Sequence, residues 1–283
     1  MSVKLESGTN YIEVVAVNEV NYGVKTLDVK STVNAIQEKP DLWLLSIGIN
    51  DYANFPANGW ADLESAVGDA TKMFSLFDGQ NNKRFKNIHK VIVADGTVNK
   101  PTKQNILKNM EMLKQAKSND VIFLFIAAHG ITEEEVYYFL SSDVKFNSSK
   151  DIDLKYAVNI DEIIKSTDMP GKKIVFIDTC QSGGVDNNKL IRTLRNRSTV
   201  IFTAAKQNEF SNETPDYGGV FTYSVVEGIN NNPLNKRSIT LQDLEHYVAN
   251  RINDLLPRLK KNKQHPVMII PNGYKNFVMA EYE

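Results

Sequence analysis

The chain has 283 residues, 42% of them hydrophobic and 24% charged, proportions that support a buried core and exclude a disordered chain. Its 33 basic and 34 acidic residues leave a net charge of −1, which argues against general attraction to nucleic acid or to an anionic membrane. Apolar runs such as 121–128 are far shorter than the roughly 20 residues of a membrane-spanning helix. The opening MSVKLESGTN also lacks the basic-then-apolar order of a signal peptide, so a cytoplasmic location without a membrane partner is expected.

Alternating, β-branched segments at 11–17 and 24–29, separated by Asn18, Asn21 and Gly23, predict a β-hairpin. Two strands alone are marginal in water. Residues 1–40 are therefore expected to be the hairpin remnant of an upstream β-sandwich module with a polar linker, and 41–283 the main domain; extra edge strands of the main domain are the plainer reading. From 42 onward strands and helices alternate. Residues 42–49 form an apolar run suited to a strand buried on both faces, and 63–77 carry apolar residues at helical spacing. A strand at 89–94, a helix at 102–117 with Thr102 as N-cap, strands at 121–128 and 136–140 and a helix at 160–166 follow. Strands at 173–178 and 199–204, helices at 220–229 and 241–256 and a short strand at 266–270 complete the pattern. Such alternation predicts an α/β fold, a mostly parallel sheet with helices on both faces, and chemistry at the carboxyl ends of the strands.

The reactive residues fall at those ends. The strand at 121–128 runs into His129 and Gly130, and the strand at 173–178 runs into Asp178, Thr179, Cys180 and a glycine-containing turn. Taken singly, a cysteine is more often an inert buried residue and a histidine a structural hydrogen bonder. Together they make catalysis the better reading. A free thiol is only partly ionised at neutral pH and benefits from a nearby imidazole. The glycines let backbone amides approach a developing oxyanion, and the amides of Gly130 and Cys180 are the natural donors. Cys180 is the only cysteine, so neither an intrachain disulfide nor a thiolate-rich metal site is available.

His129 precedes Cys180 by 51 positions, close to the spacing of about 50 known for caspases. The segments LLSIGINDY from Leu44, AVGDA from Ala66, FLFIAAHG from Phe123, IVFIDTCQSG from Ile174 and GGVFTYSVVEG from Gly218 occur in the order of that family. From about Leu42 onward the chain resembles a caspase-like cysteine peptidase, nearest the prokaryotic orthocaspase and metacaspase branch. The resemblance implies a three-layer sandwich around a six-stranded, mainly parallel sheet, with His129 and Cys180 as the catalytic dyad.

Substrate preference follows from charge. Residues two apart on a strand point the same way, so Asp178 is expected on the same rim as Cys180. Aspartate-specific caspases carry a Gln at that position and an Arg before the acid of the first helix; here there is Asp178, and WADLESAVGD from Trp60 holds no arginine. Asp69 matches the second acidic pocket residue of metacaspases. An acidic pair would bind a guanidinium or ammonium and repel an acidic side chain, so cleavage after Arg or Lys is expected. A strand-end turn former at Asp178 and a solvated helix acid at Asp69 are the plainer alternatives. Glu213, in the polar stretch 205–219, is a weaker candidate for a pocket or groove contact. The basic run 189–197 (KLIRTLRNR) is either a solvated turn or a site of self-cleavage. His89, His246 and His265 read as structural.

No phosphate-binding glycine loop, HExxH or EF-hand spacing occurs, so no metal or cofactor is expected to be required, although acidic loops such as 151–153 could bind the calcium that activates some metacaspases. Expected partners are protein or peptide substrates, with upstream domains or an activating partner. Two competing readings stand beside the peptidase: a silent scaffold that keeps the fold for binding, and a related Cys–His peptidase with another specificity at P1, the residue before the cleaved bond.

Overall fold

The protein is known as a computed structural model, which describes residues 8–17, 22–31, 38–55, 59–134, 136–167, 171–180, 199–206, 209–271, 274 and 276–282. The basic run at 189–197 lies outside the described residues. Strands β1 (Gly8–Val17) and β2 (Tyr22–Ser31) pair antiparallel in a two-stranded sheet of their own, each longer than the alternation predicted.

The central sheet is built from β3 (Leu42–Gly48), β4 (Ile88–Ala94), β5 (Val121–Glu133), β8 (Lys172–Cys180), β9 (Thr199–Thr203) and β13 (Val267–Ile269), in the order β13-β9-β8-β5-β3-β4. All neighbours along it are parallel except β13, which runs antiparallel to β9. The far end of β5 folds against β6 (Val136–Leu140), which pairs with β7 (Ala157–Asn159). All seven residues of β3 are buried, as a strand covered by helices on both faces requires.

Alternate residues of these strands supply two cores. On one face Phe123, Phe125, Phe176 and Phe202 pack with helices α1 (Ala66–Ser75), α4 (Val220–Asn230) and α5 (Leu241–Leu259). On the other, Leu45, Ile47, Leu124, Ile126 and Ile177 meet α2 (Lys103–Met110) and α3 (Ile160–Ser166). The mixed α/β architecture, mostly parallel and covered on both faces, is the one expected.

Helix boundaries differ where tertiary contacts set them. The apolar spacing suggested a helix from 63, but α1 starts at Ala66, because Asn50, just past β3, accepts the Val67 N–H at 3.0 Å and donates to the Glu64 carbonyl at 3.1 Å. Asn50 thus caps the helix from a distance and ties its start to the strand tip. Gly48 lets the helix lie close: a Cβ there would stand 2.5 Å from the Ala66 carbonyl oxygen and 2.6 Å from the Ala70 Cβ. Thr102 caps α2 as expected, accepting from Asn105 N–H, but the α-helix stops at Met110 and a 3-10 turn, Glu111–Gln115, completes the segment. Further strands β10 (Glu213–Thr214), β11 (Gly218–Gly219), β12 (Ser238–Thr240) and β14 (Val278–Glu281) are too short to leave a periodic pattern. Among the described residues no helix is long and apolar enough to cross a membrane.

Candidate active site

Strand β5 does not stop at Ala128. It continues through His129 and Gly130 to Glu133, because β6 pairs with its far end and satisfies its backbone. In the parallel β5–β8 ladder His129 stands in register with Cys180, the last residue of β8. Neighbouring strands lie about 4.8 Å apart, so the fold brings the two predicted dyad residues side by side.

The His129 ring rests in an aromatic cradle, with ring centroids 5.1 Å from Tyr52, 5.3 Å from Phe55 and 6.0 Å from Trp60. Its backbone N–H donates to the Tyr52 hydroxyl at 2.7 Å. Its Nε2 lies 2.9 Å from the Ala61 carbonyl oxygen, which can only accept, so Nε2 carries the proton and Nδ1 is the basic nitrogen of the neutral ring. Burial lowers the His129 pKa, against the Ala61 hydrogen bond and the charges of Asp62 and Glu213, which raise it. The ring is therefore neutral near pH 7 and able to take up a proton.

Gly130 is buried in β5 opposite Phe139. The residue type is dictated by Tyr137, whose hydroxyl would stand 1.8 Å from a Cβ at this position and is hydrogen-bonded to Thr179 on β8.

One position before Thr179, and on the opposite face of β8, Asp178 enters a small pocket, open to solvent, that Asp69, Glu213, Ser211, Ala127 and Gly219 also line. Asp178 is 8% exposed and Asp69 2%. Asp178 accepts the Ser211 hydroxyl on Oδ1 and the Thr222 hydroxyl on Oδ2, each at 2.6 Å. Asp69 accepts the Gly219 N–H on Oδ2 at 2.8 Å and Lys72 Nζ on Oδ1 at 3.0 Å. A Cβ at Gly219 would lie 2.6 Å from Asp178 Oδ2 and 2.7 Å from Asp69 Oδ2, so those two oxygens are no more than 5.3 Å apart.

Such a pair resists double ionisation. Burial, and then the Asp178 charge, push Asp69 up to about 7 in spite of Lys72 and the Gly219 amide. Burial also raises Asp178, against its two hydroxyl donors. The arrangement is an acidic pocket that Glu213 also lines.

The fold thus gathers Asp69, Asp178 and Glu213 in one pocket, beginning two residues before Cys180 on β8. Sequence reasoning missed Ser211, Thr222 and Lys72. Ser211 and Thr222 are ordinary polar residues whose role depends on contacts across 33 and 44 positions. Lys72 carried a signal, since it stands three residues after Asp69 on a helix and must share its side. Buried Gln264 seats the 209–214 stretch by accepting the Asn212 N–H at 2.9 Å and donating to the Ala204 carbonyl at 3.0 Å. Among the described residues no group of His, Cys, Asp and Glu is arranged to hold a metal ion.

A family model described as a caspase domain of the peptidase C14 class matches residues 42–278. No curated protein matches the chain. A crystal structure of a protein from Geobacter sulfurreducens superposes with a TM-score of 0.55 at 14% identity, covering 86% of this chain and 95% of that one, a likeness of fold.

Proposed function

Because the chain belongs to the caspase-domain family of cysteine peptidases, we propose that it is an endopeptidase that cleaves proteins after Arg or Lys, of the metacaspase-like kind. The observation that carries the reading is the buried carboxylate pair, Asp69 and Asp178, facing one open pocket beside the tips of β5 and β8. Two carboxylates at that separation suit the planar fork of a guanidinium, or an ammonium between them. An acidic P1 side chain would meet like charge from both, with Glu213 adding to it.

In this reading the Cys180 thiol gives its proton to His129 Nδ1, and its sulfur bonds to the carbonyl carbon of the scissile peptide. The amides of Gly130 and Cys180 hold the resulting oxyanion. As the C–N bond breaks, His129 returns the proton to the departing amine. Water, deprotonated by His129, then hydrolyses the thioester and restores the thiol. The Ala61 carbonyl holds the ring in the tautomer this sequence needs.

Hydrolysis of fluorogenic peptides ending in Arg, Lys or Asp by wild type and Cys180→Ala, with and without calcium, tests the reading. Cleavage after Arg or Lys that vanishes in Cys180→Ala is the expected outcome. Cleavage after Asp alone would refute the pocket assignment. Silence on every peptide in all conditions would favour the scaffold.

A further inference from the structure

One of the two pocket acids, Asp69, has a cationic partner. Lys72 follows Asp69 by three residues on α1, which puts the two side chains on one side of the helix. Its Nζ donates to Asp69 Oδ1 at 3.0 Å and to the Tyr217 carbonyl at 2.7 Å. Tyr217 lies in the turn between β10 and β11, so the lysine joins the helix to the segment that closes the pocket. Gly218 makes that approach feasible. It sits at φ +72°, and a Cβ there would stand 2.5 Å from Asp69 Oδ1 and 2.8 Å from Lys72 Nζ.

The two pocket acids are therefore held differently. Asp178 is met by neutral donors, the Ser211 and Thr222 hydroxyls and the Thr222 amide, whereas Asp69 is met by an amide and an ammonium. The charged groups facing Asp69 are Asp178 from β8, Glu213 from β10 at the pocket rim and Lys72 from its own helix; α4 offers only the neutral Thr222, and β5 the apolar Ala127. Among the described residues Lys72 is thus the positive charge that meets Asp69.

We propose that Lys72 is a positioning residue of the specificity pocket: it supplies a counter-charge that favours the ionised form of Asp69 and straps the β10–β11 hairpin over it, so that the pocket accepts a basic side chain more readily at neutral pH. The proposal rests on the basic-P1 reading above. Two carboxylates this close, with Glu213 beside them, already resist double ionisation, and a pair that takes up a proton offers a cation one charge in place of two. Burial and Asp178 push Asp69 up to about 7 even beside Lys72, so a change in the lysine's opposing pull shifts the charge of Asp69 near neutral pH.

Losing an opposite charge at hydrogen-bond distance raises a carboxylate by about one unit or more. At pH 7 the ionised fraction of Asp69 would then fall from about a half to about a tenth, roughly a five-fold loss. In Lys72→Met, KM for an Arg peptide should rise about five-fold at pH 7 with kcat unchanged, and the acid limb of kcat/KM should move up by about one unit. The difference should close by about pH 9, and Lys72→Arg should restore the wild-type profile. In parallel, carbon-13 carboxyl resonances of Asp69 are titrated in Cys180→Ala and in Cys180→Ala with Lys72→Met, which requires no turnover. The methionine should move the Asp69 midpoint upward. An unmoved midpoint, or a loss of activity equal at every pH, would overturn the proposal. If wild type cleaves after neither Arg nor Lys, the P1 reading fails by itself, and the titration still decides whether Lys72 charges Asp69.

Discussion

Adding one methyl group at Gly219 tests the pocket without replacing either carboxylate. The backbone there, φ −63° and ψ 123°, is open to any L-residue, so Gly219→Ala introduces no backbone strain. The new Cβ would stand 2.6 Å from Asp178 Oδ2 and 2.7 Å from Asp69 Oδ2, against about 3.4 Å for an ordinary contact. Each oxygen must retreat by about 0.7 to 0.8 Å, which would stretch the 2.6 Å Thr222 bond and the 2.8 Å Gly219 bond beyond useful length. A hydrogen bond to a charged group contributes about 1.5 to 3 kcal/mol, and the methyl also fills the space where a guanidinium would lie between the acids. We expect kcat/KM for an Arg peptide to fall about 10- to 100-fold. The assay is steady-state hydrolysis of Arg and Lys fluorogenic peptides, with thermal unfolding followed by circular dichroism to establish that the fold survives. Folded Gly219→Ala with wild-type kcat/KM would refute the claim that the space between Asp69 and Asp178 receives the P1 side chain.

Three further outcomes follow from the same contacts. Thr222→Val keeps shape but removes a donor from buried Asp178, and should cost about 1 to 3 kcal/mol in denaturant unfolding; an unchanged midpoint would contradict the bond. The pH dependence of stability has a definite sign at Asp69: its carboxyl is raised from 3.8 to about 7, so the folded state binds this proton more tightly than the unfolded chain, and stability falls as pH rises through that window. Asp69→Asn lacks that loss, so its melting temperature relative to wild type should climb between pH 4 and pH 7; a constant difference would refute the assignment. Gly48→Ala should force α1 off β3, because its Cβ meets helix backbone 2.5 Å away, at about 1 to 3 kcal/mol in chemical denaturation, and should weaken Arg-peptide hydrolysis because Asp69 moves with the helix.

Much of this molecule was legible in the residues alone, for reasons that are local. An eight-residue apolar run such as 121–128 suits a strand covered on both faces, and the order of strands and helices implied the parallel sheet. His129 and Cys180 stood out because polar, reactive residues at the ends of such strands must emerge at the rim. Even the company of Asp69 and Asp178 followed from their types and from the family resemblance. The tertiary structure decided what depends on distant partners. β5 runs past His129 because β6 returns to pair with it, and α1 begins at Ala66 because Asn50 reaches across from β3. β12 finds β14 about 40 residues away, in segments of three and four residues that carry no pattern. The same holds within the pocket. Whether an aspartate is charged depends on burial and on the groups within a few ångströms, and Lys72, Ser211, Thr222 and the bare faces of Gly218 and Gly219 meet the two acids only when helix, strand and hairpin are assembled.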